Sequence, residues 1–186
     1  MYKIIALIGE AGTGKDTLMQ CILSEYPDMF NEIISCTTRP MREGEAEGVN
    51  YFYLTDQLFK QKIDNNLMLE YTNFNNWYYG TSLDSLSKDK INIGVFNPTG
   101  IRSLLNHPEV KVITFKIFCN NKNRLIRQLN REEFPNIEEI LRRYYADKED
   151  FSDLEFEYTQ LINETSKMLK SNVDKVMSTV HDTRWV

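Results

Sequence analysis

Gly9-Glu10-Ala11-Gly12-Thr13-Gly14-Lys15-Asp16-Thr17 sets glycines at its first and sixth places and a lysine directly after. That spacing suits a loop that grips phosphate. With little side chain in the way, backbone N–H groups of Gly9, Gly12, Thr13 and Gly14 can curl around an anion at a helix N-terminus, where the dipole is positive. Lys15 then reaches the outer phosphates of a bound triphosphate.

One place departs from the usual pattern. The residue after the lysine is normally Ser or Thr, whose hydroxyl ligates magnesium; here it is Asp16, followed by Thr17. A carboxylate is a good magnesium ligand but repels a triphosphate where no metal intervenes. Three assignments stay open: Asp16 on the metal, Asp16 through a water, or Thr17 in its place. An acid in a first helical turn is also favoured by the macrodipole alone.

The elements that must hold this loop follow from the apolar pattern. Ile4–Ile8 reads as a buried strand and the segment from Lys15 to Tyr26 as a helix that stops before Pro27. Glu32–Cys36 is a short strand, and Thr37–Asn50 a polar segment whose Arg39, Arg42, Glu43 and Glu45 are expected to be exposed. Tyr51–Leu54 is a strand, and Asp56–Asn65 a helix with Leu58, Phe59 and Ile63 on one face. Leu67–Tyr71 and Trp77–Tyr79 read as strands around an Asn-rich turn. Ile91–Phe96 and Lys111–Phe118 are apolar enough for central strands. Arg124–Asn130 and Ile137–Asp150 read as helices, Leu161-Ile162 as a last short strand, and Glu164 to Val180 as a terminal helix. Strands alternating with helices predict an α/β fold, a parallel sheet covered on both faces. The aromatic-rich interruption from Arg39 to Tyr79 reads as a small inserted lobe, and two lobes beside a phosphate loop predict a cleft that closes on two substrates.

Composition narrows the class. A chain of 186 residues fits one domain with a substantial core. Its net charge of −5 argues against a general nucleic-acid or membrane-surface binder, so arginines for an anionic substrate must be gathered locally. Cys21, Cys36 and Cys119 are odd in number and match no metal spacing, which suits a reducing cytoplasm. His107 and His181 form no metal motif. No signal peptide, membrane-spanning run or internal repeat is expected.

A second group of residues is more specific. Ser35-Cys36-Thr37-Thr38-Arg39-Pro40-Met41-Arg42-Glu43-Gly44-Glu45, with Gly48, Tyr51 and Phe52, closely resembles the nucleotide-binding segment of guanylate kinases. Glu70, Tyr78-Tyr79-Gly80-Thr81, Arg131, Glu139-Ile140 with Arg143, and Leu161-Ile162-Asn163 follow in the family's order. The resemblance runs from the first strand to about Asn163. It implies a P-loop kinase fold in one domain over 1–186, with a core of 1–34, 82–120 and 145–186. A monophosphate-binding lobe would span about 35–81 and a helical lid about 121–144. It also implies ATP-dependent phosphorylation of GMP or dGMP with Mg2+, in purine nucleotide metabolism, with Asn163 on the adenine side of ATP.

The residue chemistry agrees. A nucleoside monophosphate carries about two negative charges near pH 7. Arg39 and Arg42 can fork onto its oxygens, with the hydroxyls of Tyr51 and Tyr79 beside them. Guanine offers N1–H and N2–H₂ donors that a carboxylate such as Glu70 accepts, while Ser35 or Thr81 can donate to O6. Adenine would leave Glu70 badly paired. The acceptor oxygen is already ionised, so transfer needs positioning and charge neutralisation, for which Lys15, Arg131 and Arg143 are the candidates. Arg124, Arg127 and Arg142 read as ordinary basic helix residues. Where guanylate kinases typically carry Asp-x-Asp, this chain has Val95-Phe96-Asn97, and Asn97 contributes no charge toward a base. The departure keeps a broader deoxynucleotide kinase or a ribose-bisphosphate kinase as a competing expectation. A non-catalytic binding module is disfavoured by the retained lysine and lid arginines. The residues do not indicate an oligomeric state.

Overall fold

The computed structural model describes every residue except 43, 75, 132 and 184–186, and the side chain of residue 74. The expectation for Glu43 therefore lies outside the described residues. Strand β1 (Tyr2–Ile8) is almost wholly apolar, and Ile4 to Ile8 are completely buried. A strand buried on both faces belongs at the centre of a parallel sheet. β1 pairs in parallel with β7 (Ile91–Val95) on one side and β8 (Val110–Phe118) on the other. β2 (Phe30–Glu32) and β9 (Thr159–Ile162) complete a five-stranded sheet of order β2-β7-β1-β8-β9.

The alternation along β1 separates two cores. Ile5 and Leu7 pack with Leu18 and Ile22 of α1 (Lys15–Glu25) and with Val173 and Val176 of α6 (Met168–Asp182). Ile4, Ala6 and Ile8 pack with Ile101 and Leu104 of α3 (Pro98–Leu105). Helices thus cover both faces. The three cysteines are free, and burial pushes the Cys36 thiol up to about 11. Among the described residues no helix is long and apolar enough to cross a membrane.

Between β2 and β7 the chain builds a second sheet, in the order β4 (Phe52–Tyr53), β3 (Cys36–Thr37), β6 (Trp77–Ser82), β5 (Met68–Phe74). Helix α2 (Asp56–Asp64) buries Phe59, which stacks on Tyr78 of β6 at 5.2 Å. After β8 come α4 (Asn121–Leu129) and α5 (Ile137–Asp150). Four helices start alike: the side chains of Thr55, Asn97, Asn120 and Asn136 each accept a backbone N–H three residues on.

Four expectations need correction. The single strand over Glu32–Cys36 is two: Phe30–Glu32 joins the core sheet and Cys36–Thr37 the second one. Helix α3 lies where no element was expected: Pro98 sits at the first helical position behind an Asn cap. Leu58, placed on the apolar face of its helix, is 49% exposed. Arg39, expected on an exposed loop, is 5% exposed and buried.

Candidate active site

The glycine-rich loop connects β1 to α1, and no side chain caps that helix, so its first amides are left for an anion. The loop is pressed between neighbours. At Gly12 (φ +81°) a Cβ would meet the Arg124 carbonyl oxygen at 2.6 Å, so both backbone conformation and space demand glycine. Lys15 Nζ folds back and donates to the carbonyls of Gly9 (2.6 Å) and Glu10 (3.1 Å). Burial pulls its ammonium pKa down, partly opposed by the charge of Asp16. Thr13 is fully buried, its hydroxyl donating to the Glu10 carbonyl.

Asn163, expected beside the adenine, spends its Nδ2 donor on the Thr13 carbonyl at 2.7 Å. It is therefore placed to brace the loop. Arg127 does the same from α4, donating through Nη1 to the Gly12 and Thr13 carbonyls and through Nη2 to that of Asn163. Arg124 is buried, donates Nε to the Ala11 carbonyl and pairs with Glu10 (3.2 Å) and Asp147 (3.1 Å). Arg124 and Arg127, read as ordinary basic helix residues, are instead spent on holding the loop. Their signal was present: Arg124, Arg127 and Arg131 recur at helical spacing, a basic stripe aimed at the loop.

A cleft of about 500 Å³ opens over the loop, within the range of small-ligand sites. Ala11, Gly12, Gly14, Lys15, Asp16 and Thr17 form its floor, and Arg127, Arg131 and Arg143 overhang it. Asp16 and Thr17 are exposed there, and their hard oxygen donors suit Mg2+. Among the described residues no group of three His, Cys, Asp or Glu could hold a metal by itself. Magnesium fits nonetheless, since it keeps waters and binds through one or two protein oxygens plus substrate phosphates.

A second cavity, of about 770 Å³, gathers Arg39, Arg42, Glu45 and Tyr51 from the β3–β4 connection and Tyr79 of β6 with Glu139, Arg142 and Arg143 from α5. Arg39 is locked in place. Its Nη2 donates to Glu45 Oε1 at 2.7 Å, Nη1 donates to the Pro40 carbonyl, and its guanidinium faces the rings of Tyr51 and Tyr53. Glu45 Oε2 accepts from the Arg42 amide and the Tyr53 hydroxyl. With Arg39 first among the causes, the Glu45 carboxyl is held down at about 2. Glu45 therefore acts as the buttress of Arg39, and Tyr53, which the sequence reading passed over, buttresses Glu45. Arg142, read as an ordinary basic helix residue, also lines this cavity.

Glu70 lies where β5 meets β6. It stands opposite Thr81, whose hydroxyl donates to Glu70 Oε1 at 2.7 Å. The Thr81 proton is committed to Glu70, so Thr81 orients the acid instead of reaching toward O6 of a base. Burial raises the Glu70 carboxyl pKa above its ordinary value. Gly80 serves packing: a Cβ there would meet the Glu70 carbonyl oxygen at 2.4 Å. Asn97 Oδ1 caps α3, accepting from the Gly100 amide at 2.7 Å, which leaves its Nδ2 donor for solvent or ligand. Both Asn97 Oδ1 and Glu70 Cγ border Gly100, so α3 brings Asn97 to the foot of the second sheet. Ser35 lies between β2 and β3, its carbonyl accepting from the Phe52 amide.

Comparison with known proteins agrees with this geometry. The family model described as guanylate kinase matches residues 1–182. A guanylate kinase of Mycoplasmoides gallisepticum is 32% identical over 165 residues, covering 87% of this chain and 84% of that protein. One from Campylobacter jejuni is 28% identical over 169 residues, covering 88% of this chain and 82% of its own. The match to a guanylate kinase of Chlamydia trachomatis, 34% identical, spans 69% of this chain and 63% of that protein. Among solved structures, a guanylate kinase from Anaplasma phagocytophilum superposes with a TM-score of 0.65 at 18% identity, over 97% of this chain and 85% of that one. At that identity the likeness speaks for the fold alone.

Proposed function

The chain belongs to the guanylate kinase family, and from that premise we propose that it transfers the terminal phosphoryl group of ATP to GMP or dGMP. One observation carries the reading: Arg143 lines both the phosphate-loop cleft and the arginine–tyrosine cavity, so a single guanidinium stands between a donor and an acceptor site. The donor triphosphate lies on the loop amides and Lys15. The acceptor phosphate lies on Arg39 and Arg42 with the hydroxyls of Tyr51 and Tyr79, and its oxygen attacks in line without a general base. Glu70, oriented by Thr81, accepts the two donors on guanine's pairing edge, and Ser35 and the Asn97 amide nitrogen are the donors left for O6.

Asp16 or Thr17 would hold Mg2+, which, when bound, screens the phosphate charge and helps orient the transferring group. Arg131 and Arg143 neutralise charge that develops during transfer. The second sheet, about 35–81, acts as the acceptor lobe and 121–144 as the lid. Their closure excludes water and suppresses ATP hydrolysis. We place this chemistry in the cytoplasm, in purine nucleotide metabolism.

The test is phosphoryl transfer by purified protein from ATP to GMP, dGMP, AMP and dTMP. The expected result is a kcat/KM at least a hundredfold higher for a guanine nucleotide than for AMP or dTMP, as a site built to pair a donor discriminates. Equal use of all four would overturn the guanine reading and favour a broader kinase.

A further inference from the structure

We infer that Asp147 is a positioning residue that latches helix α5 to the phosphate loop and so sets where Arg143 stands in the cleft. The inference rests on the kinase reading above for its consequence, though not for the latch itself. Helix α5 contains no fully buried residue, so no apolar seam holds it to the body. Just past its end, Phe151 packs against the core face that includes Ile4 and Ile101, which anchors the C-terminal turn. One turn inside that anchor, Asp147 Oδ2 accepts the Ala11 amide at 2.6 Å and Arg124 Nη2 at 3.1 Å.

Ala11 is a floor residue of the phosphate-loop cleft, so the tie ends at the site itself. Arg124 closes the triangle: it donates Nε to the Ala11 carbonyl, pairs with Glu10, and lies over the Tyr144 ring at 5.7 Å. Both ends of residue 11 are thereby held by groups that also hold α5. Arg143 sits four residues before Asp147, on the same face of the helix and one turn nearer the acceptor cavity. A carboxylate accepting an amide and a guanidinium makes charge-assisted bonds, the strong kind. Releasing them lets the N-terminal half of α5 swing about its Phe151 anchor. Since displacement of a catalytic group by about 1 Å can cost around a hundredfold, Arg143 would lose most of its effect.

A tie that only stabilises the fold would act independently of Arg143. The experiment is therefore a double-mutant cycle on kcat with Asp147→Ala, Arg143→Ala and both, with ATP and GMP saturating. We expect Asp147→Ala to lower kcat by between tenfold and a hundredfold, with KM for GMP within threefold of wild type, and to add less than threefold in the Arg143→Ala background. Independent, multiplicative losses would overturn the inference. If Asp147→Ala does not fold, Asp147→Asn, which keeps an acceptor for the Ala11 amide without the charge, is measured in the same cycle against the same criterion. Amide hydrogen exchange over residues 137–145, in protein without nucleotide, tests the latch apart from activity. Faster exchange in the Asp147 variant is expected, and unchanged exchange would overturn it. Faster exchange in the Asp147 variant, with a wild type that phosphorylates no guanine nucleotide, would refute the kinase reading and leave the latch standing.

Discussion

At the scale of single residues, the site is built from groups that hold one another before any substrate arrives. Lys15 is desolvated and bound to its own loop, so removing it deletes the positive charge carried by the phosphate loop itself without opening the core. Lys15→Ala should lower kcat by at least a hundredfold with unchanged circular dichroism; turnover within tenfold of wild type would remove the loop from the mechanism. Glu70 carries the opposite tension. Burial favours its protonated form, so ionising it costs stability. Its folded pKa lies above the unfolded one, so its stabilising contribution is complete at acid pH and is lost as pH rises through the folded pKa. Glu70→Gln should therefore melt higher than wild type at pH 8, with the gain shrinking as pH falls. It should also raise KM for GMP by about tenfold, the difference between a charged and a neutral acceptor. Calorimetry and steady-state kinetics on the same two proteins decide both halves.

At the scale of elements, caps and helical spacing do most of the placing. Asn97 starts α3, and α3 borders both Glu70 and the core sheet, so a fault in this cap reaches Glu70 through the helix. Asn97→Ala should cost about 1 kcal/mol of stability, and Asn97→Asp should restore it, because a carboxylate caps equally well and suits the helix dipole. Denaturant unfolding of the three proteins measures this, and an Ala variant as stable as wild type would contradict the assignment. Helix α5 presents Arg142 and Arg143 together, paired to Glu139 by hydrogen bonds of 2.7–2.9 Å. These pairs are exposed and contribute little to stability. Arg143→Ala and Arg131→Ala should therefore leave the melting temperature nearly unchanged while lowering kcat by at least a hundredfold, with a smaller effect on KM for GMP. Near-normal kcat in both would reduce these arginines to helix surface.

At the scale of the whole molecule, Arg143 is shared by the phosphate-loop cleft and the arginine–tyrosine cavity, and the charge gathered there is local. The chain is net negative, yet its cleft and cavity gather Lys15 with six arginines, 39, 42, 127, 131, 142 and 143. Substrates carrying several negative charges should draw the lobes together. Small-angle scattering should show a smaller radius of gyration with GMP and a non-hydrolysable ATP analogue bound together than with either alone. Equal radii in all states would argue that the cleft does not close.

How much of this was legible beforehand differs by level. The phosphate loop is a local device: glycine spacing, the following lysine and the strand before it lie within a dozen residues, and their order states the chemistry. The parallel core was legible for a similar reason, because a strand such as Ile4–Ile8, apolar at every position, has to be covered on both faces. Where the chain leaves one sheet for another was not legible. Glu32 to Cys36 reads as one extended run, and only the pairing partners, Ile93 for Glu32 and Gly80 for Cys36, divide it. The same holds for the polar groups. Composition marks Arg39, Arg124 and Asn163 as solvent-loving, and burial is tolerable for them only because Glu45, Asp147 and the Thr13 carbonyl meet them from 6, 23 and 150 residues away. The amino-acid sequence by itself determined which chemistry is present and the order of the elements that carry it. Tertiary structure decided which polar side chains face a substrate and which are spent holding the others, since a hydrogen bond between distant residues leaves no period or spacing in the chain.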